Sequence, residues 1–138
     1  MIDPILASLK IASSGITAQS TRMKVVSENI ANAQTTGTTP GSDPYQRKTV
    51  SFQSEIDKLT GADLVEVGKI SADRSPFVIE HDPGNPAANA DGYVKKSNVR
   101  MLVEMADMRD ANRSYEANVQ VVKQARELIN MTIDLLRS

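Results

Sequence analysis

The chain has 138 residues, 40 % of them hydrophobic and 24 % charged, with a formal net charge of −1. That is one domain's worth of ordinary soluble sequence, and its balanced charge gives no electrostatic footing for nucleic acid or for an anionic membrane surface. The absence of Cys excludes disulfides, thiolate nucleophiles and cysteine-based metal sites, while 4 % aromatics and no Trp favour aliphatic helix seams over one large core.

Residues 1–33 read as the first helix. Ile2, Leu9, Ile16, Met23 and Ile30 recur every seventh position, with Ile5, Ala12, Gln19 and Val26 three residues further on. A seven-residue apolar repeat draws one narrow stripe along a helix and makes a seam for another helix. Asp3 is placed to cap the start and Pro4 sits in the first turn, where its missing N–H does no harm. Ser13, Ser14, Gly15, Thr17 and Ala18 make one turn thin enough for a close neighbour. No run approaches the ~20 apolar residues of a membrane span. A basic segment followed by a continuous apolar one is also missing, so the N-terminus does not read as a secretory signal.

Residues 34–48 cluster Thr, Gly, Pro, Ser and Asp without apolar periodicity, with a turn signal at Pro40-Gly41, and read as a linker. A sharper reading is that they order against a neighbour through Tyr45, Arg47 and Lys48. The pattern changes period over residues 49–96, a β-rich middle section. Val50 and Phe52 alternate with polar residues, residues 64–70 have a strand's composition, and Phe77-Val78-Ile79 precedes the Asp82-Pro83-Gly84 turn. These three short strands are expected to form one small sheet, with a last extended piece after Tyr93.

Residues 97–138 return to helix. Met101, Met108, Tyr115, Val122, Ile129 and Leu136 repeat at seven, Met105, Val119 and Ile133 lie four residues after alternate members, and Ser97 or Asn98 is expected to cap the start. The expected fold is therefore mainly α: long N- and C-terminal helices paired as an antiparallel coiled coil, a discontinuous core of residues 1–33 and 97–138, around the small β section. In the simplest register the facing numbers add up to 138, pairing Ile2 with Leu136, Leu9 with Ile129, Ile16 with Val122, Met23 with Tyr115 and Ile30 with Met108. These ten side chains are the expected helix seam and assembly interface. Asn29, Asn32, Glu116 and Asn118, polar groups at or near the seams, are expected to set register or partner choice, as a buried Asn does in coiled coils. Tyr115 has packing surface and a hydroxyl to satisfy. Val121, Leu128 and Leu135 widen the apolar face beyond what one partner covers, so the helices are expected to find cover on other chains.

Nothing in the chain assembles catalytic, cofactor-binding or metal-binding chemistry. His81 stands alone between Glu80 and Asp82, without further ligands or a nucleophile. Asn89-Ala90-Asp91-Gly92 imitates the centre of a calcium loop, but the terminal ligand positions are Ala87 and Asn98. The two Asn-x-Ser/Thr triplets lie on the last helix, and the methionines on or beside the seams read as adaptable packing.

Ala12-Ser13-Ser14-Gly15-Ile16-Thr17-Ala18-Gln19 with Met23-Lys24-Val25-Val26-Ser27-Glu28-Asn29-Ile30-Ala31-Asn32-Ala33 resembles the N-terminal signature of bacterial flagellar rod and hook proteins. Arg113-Ser114-Tyr115-Glu116-Ala117-Asn118-Val119 resembles their C-terminal motif. Pro44-Tyr45-Gln46-Arg47-Lys48, Ser75-Pro76-Phe77, Asp82-Pro83-Gly84-Asn85-Pro86 and Ala90-Asp91-Gly92-Tyr93-Val94 are similar to the proximal-rod branch of the basal-body rod protein family. Lys24 and Gln34 stand where relatives more often carry Asn. The resemblance implies a non-catalytic structural subunit that polymerises through its terminal helices into the periplasmic drive shaft of flagellum-dependent motility. It implies as partners the other rod proteins, further copies of itself, the adaptor to the inner-membrane ring and the flagellar type III export apparatus, which would deliver the chain without a cleaved signal. Other readings remain open at this level: another axial protein of distal rod or hook type, which carries a larger middle section, or a cytosolic helical-hairpin adaptor.

Overall fold

Asp3 opens the first helix: its Oδ1 accepts a hydrogen bond from the Ile5 amide at 3.0 Å, with Pro4 in the first helical position. The computed structural model describes residues 3–138, so Ile2 at the head of the expected seam lies outside the described residues. The order of elements is α1 (Pro4–Ala31), β1 (Lys48–Ile56), β2 (Asp63–Ala72), β3 (Val78–His81), β4 (Tyr93–Lys96) and α2 (Met101–Arg137). The expected single sheet is two separate two-stranded sheets, β1 with β2 and β3 with β4. The composition marks the strands, but which strands pair is decided by the turns between them.

The chain divides into two compact units. Unit 1 gathers Met1–Met23, Ser51–Gly68 and Arg109–Ser138, and unit 2 gathers Lys24–Val50 and Lys69–Met108.

Unit 1 is built on small residues. Ala12, Ala18, Ala111 and Ala125 are its buried hydrophobics. Side chains this short leave room for a neighbour, and at Gly15 the Asn118 side chain of α2 fills that room: a Cβ there would lie 2.7 Å from Asn118 Nδ2. Nearby, Leu9, Ile16 and Val122 line one groove with Lys10, Ser13 and Arg126. The β1–β2 ribbon turns through Gly61, whose φ of +67° suits a residue without Cβ, and whose amide donates to Asp57 O at 2.7 Å. Beyond that turn the ribbon leaves Phe52, Ile56, Leu59 and Val65 exposed.

Asp57 fastens the turn. Its Oδ2 accepts from Thr60 Oγ1 at 2.5 Å, from the Thr60 amide at 2.9 Å and from Lys10 Nζ at 2.9 Å. The Thr60 hydroxyl and then Lys10 hold its carboxyl down at about 2. An unfolded Asp titrates near ~3.9. A depressed native value means the stabilisation is complete above that unfolded value and is lost as pH falls through about 2. We therefore expect exchange at the Thr60 and Gly61 amides to accelerate between these limits, beyond the intrinsic pH dependence. In Asp57→Asn exchange should be fast throughout, and matching profiles for the two proteins would contradict the assignment.

Unit 2 has a branched-chain core: Val25, Val26, Ala33, Ala87, Val94 and Val99 are buried. Its sheet pairs Val78 with Lys96 through to His81 with Tyr93 in antiparallel register, and Thr36 adds an isolated bridge to Lys96. Gly92, with φ of +84°, turns the chain into β4 and leaves the His81 and Tyr93 rings edge to face at 5.0 Å. α2 starts later than its expected cap. Ser97 Oγ accepts from the Val99 amide, and the Asn98 side chain is committed to the Arg47 backbone.

The apolar rows along α2 differ from the expected ones in two respects: Met101 and Leu136, the ends of the row of seven, are exposed, and the companion row is displaced. Positions 104, 108, 111, 115, 118, 122, 125 and 129, alternately four and three apart, are all buried or half-buried. The row of seven containing Met108, Tyr115, Val122 and Ile129 therefore faces inward, but its companion lies three residues on, at Ala111, Asn118 and Ala125, not four. Of the residues expected in that companion row, Met105 and Ile133 are exposed and Val119 is half-buried. Side-chain size misled the expectation: several inward positions hold small or polar residues, Ala111, Asn118 and Ala125 among them.

Candidate assembly surface and polar node

In unit 2 the polar groups converge where α1, α2 and residues 44–48 meet. Glu104 is 0 % exposed and Asn29 1 %. Glu104 Oε2 accepts from Asn29 Nδ2 at 3.1 Å, and its Oε1 takes the Arg47 Nε–H in a short ion pair. Asn29 satisfies all four of its hydrogen-bonding positions: Nδ2 also donates to Lys48 O at 2.9 Å, while Oδ1 accepts from the Tyr45 hydroxyl at 2.7 Å and the Lys48 amide at 3.0 Å. Arg47 extends the network, donating Nη1–H to Asp73 Oδ2 at 3.2 Å and its amide to Asn98 Oδ1 at 2.7 Å. Asn98 Nδ2 then reaches the Asp73 and Ser75 carbonyls, both at 3.0 Å. Among the described residues no buried side-chain polar atom is left without a partner.

The electrostatics follow from these contacts. Burial pulls the Arg47 guanidinium toward its neutral form, but the hydrogen bonds and charges of Glu104 and Asp73 outweigh it and raise its pKa. The Ser75 hydroxyl and amide, then Arg47, hold the Asp73 carboxyl below the usual range. Burial raises the Tyr45 phenol. All these groups keep the protonation state that the network needs at neutral pH. The node fastens α1, α2 and residues 44–48 to one another.

The expected partner-choice residues are not all placed alike. Asn29 is inside this node. Asn32 donates its side-chain amide to Glu28 O at 2.8 Å, as α1 ends. Asn118 donates to Ser114 O at 2.9 Å beside Gly15, and Glu116 is exposed. Of the expected seam, Leu9, Ile16, Met23, Ile30, Met108, Tyr115, Val122 and Ile129 are half-buried, whereas Leu136 is 83 % exposed. The Gly15–Asn118 and Asn29–Glu104 contacts both join residues whose numbers add up to 133, five fewer than in the simplest register. Sequence reasoning missed Glu104 and expected Asn98 only as a helix cap, whereas it bonds to Arg47, Asp73 and Ser75. Glu104 occupies an inward position three residues after Met101, and reading the companion row at three instead of four would have exposed it.

Beside its inward row, α2 in unit 1 carries an apolar flank that stays largely exposed, although Val121 and Leu128 share a groove with Pro4 and Ile5. Val121 is 40 % exposed, Leu128 52 % and Leu135 76 %, seven residues apart, with Met131 exposed beside them. Among the described residues there is no helix long and apolar enough to cross a membrane, and no His, Asp and Glu cluster that could hold a metal.

Two long helices carrying β insertions, with apolar rows turned outward, define the class as a helical scaffold protein. Comparison with known proteins makes it specific. Residues 9–38 match the family described as flagella basal body rod protein, and residues 90–135 match the flagellar basal body rod FlgEFG protein C-terminal family. The chain is 59 % identical over 137 residues to the flagellar basal-body rod protein FlgC of Agrobacterium fabrum, covering 99 % of both chains. It is 38 % identical to the FlgC of Bacillus subtilis, over 93 % of this chain and 95 % of the other, and 37 % identical to that of Escherichia coli O6:H1, over 95 % and 97 %. The chain belongs to the FlgC family of flagellar basal-body rod proteins.

Proposed function

We propose that this chain is a structural, non-catalytic subunit of the proximal rod, and that α1 and α2 pair as an antiparallel coiled coil whose outer faces are covered by other copies and other rod proteins. The observation that carries the reading is the exposed row of Val121, Leu128 and Leu135 on α2. Contiguous apolar surface of this kind marks a site that another chain covers. Ile2, Leu9, Ile16, Met23, Ile30 and Leu136 serve the same packing, and Asn32, Glu116 and Asn118 tune which neighbour fits. The subunit is exported by the flagellar type III apparatus, works in the periplasm and meets the adaptor of the inner-membrane ring at the base of the shaft.

Amide exchange on the purified full chain tests this. At micromolar concentration the amides of residues 121–137 should exchange rapidly, and they should become protected in isolated basal bodies. Protection in the dilute monomer equal to that in the assembled shaft would overturn the reading.

A further inference from the structure

We propose that docking of residues 44–48 and closure of α1 on α2 in unit 2 are a single event, locked by the Arg47–Glu104 ion pair. This goes beyond the assembly reading and stands without it.

Glu104 would face a poor environment if the helices closed alone. Among the described residues it is the largest fully buried side chain, and its carboxylate oxygens bond to Asn29 Nδ2 and Arg47 Nε. With residues 44–48 away it would keep a single neutral hydrogen bond. Asn29 would at the same time lose the Tyr45 hydroxyl and both Lys48 backbone groups, three of its four partners. An ionised carboxylate buried in that condition is strongly unfavourable. Closing the helices first is therefore uphill.

Docking residues 44–48 first is no easier. Arg47 could still reach Asp73 and Asn98, but Tyr45 and Lys48 would find no Asn29 held in place to receive them. Each half supplies what the other lacks, with a charge on each side. The two steps are then cooperative by construction. The same pair makes the closure selective: an alternative helix placed against α1 would close this site only if it also carried a carboxylate at the position of Glu104.

Native-state amide exchange on the full chain, with Arg47→Met, Glu104→Gln and the double variant, tests the coupling. In Arg47→Met, protection should fall roughly a hundredfold or more, the range expected when one partner of a buried ion pair is removed, and should fall together in residues 44–48, 26–31 and 101–108. Adding Glu104→Gln to Arg47→Met removes the stranded charge. Protection should then return to the two helix stretches while residues 44–48 stay open. The proposal is overturned if Arg47→Met exposes residues 44–48 alone, if it changes nothing, or if the double variant leaves the helices as exposed as the single one. Should Arg47→Met fail to fold, the double variant decides: folded helices support the lock, and a second failure counts against it.

Discussion

Cells in which Val122→Asp replaces the native chain should be non-motile on soft agar and should yield no complete basal bodies. Val122 is half-buried, lines a groove with Leu9 and Ile16, and belongs to the inward row of α2. An aspartate there exchanges apolar packing for a partly desolvated charge. It either stays ionised at a cost of several kcal/mol or is forced to bind a proton. The helix pair in unit 1 would then separate or misalign, and any shaft built through these helices would lose its packing. Val122→Leu keeps the site apolar and should preserve swimming, because the groove beside it has room for one more methylene. A swarm of normal diameter from the aspartate strain would sink the idea of a packed seam.

Asn29→Ala should be the most destabilising single truncation in unit 2. It removes two donors and two acceptor positions at once, leaving Glu104, the Tyr45 hydroxyl and both backbone groups of Lys48 short of a partner. Buried groups left unsatisfied cost about 1–3 kcal/mol each, and because Tyr45 and Lys48 can turn toward water we expect about 3–5 kcal/mol in total. Urea unfolding should show a lowered midpoint with an unchanged slope. Asn29→Asp is a sharper probe. It retains the acceptors for Tyr45 and Lys48 but sets a second carboxylate against Glu104, so it should be destabilised as well, and more so at neutral than at acidic pH. Native stability in either variant would mean that the node is ornamental.

Much of this architecture can be read from the residues, for identifiable reasons. Heptad spacing of Leu9, Ile16, Met23 and Ile30, and of Met108, Tyr115, Val122 and Ile129, announces two long helices, because large apolar side chains on a seven-residue period fall on one stripe only when the backbone is helical. Asp3-Pro4 announces where the first begins. The companion row of α2 was hidden because Ala111, Asn118 and Ala125 do not look like core by hydrophobicity; they are inside because they are small or bonded, not because they are greasy. Residues 34–48 have a connector's composition, yet Pro44 is buried and Tyr45, Arg47 and Lys48 bond to Asn29, Asn98 and Glu104. Composition reports on average partners, and here the partners lie 16 to 57 positions away in the chain. Strand pairing escaped for a related reason: β3 and β4 are brought together by the loop through Gly92, whose geometry no apolar pattern encodes.

The β1–β2 ribbon carries a consequence for handling the molecule outside its natural setting. With only two strands, both outer margins lack a neighbour in the sheet, and such margins invite zipper-like joining of identical chains. Lys48, Glu55, Glu66 and Lys69 dot the ribbon with charge and oppose that growth at low salt, but Ile56 and Leu59 at its tip do not. Concentrated stocks in high salt should therefore cloud from this ribbon outward, and Ile56→Lys should keep them clear.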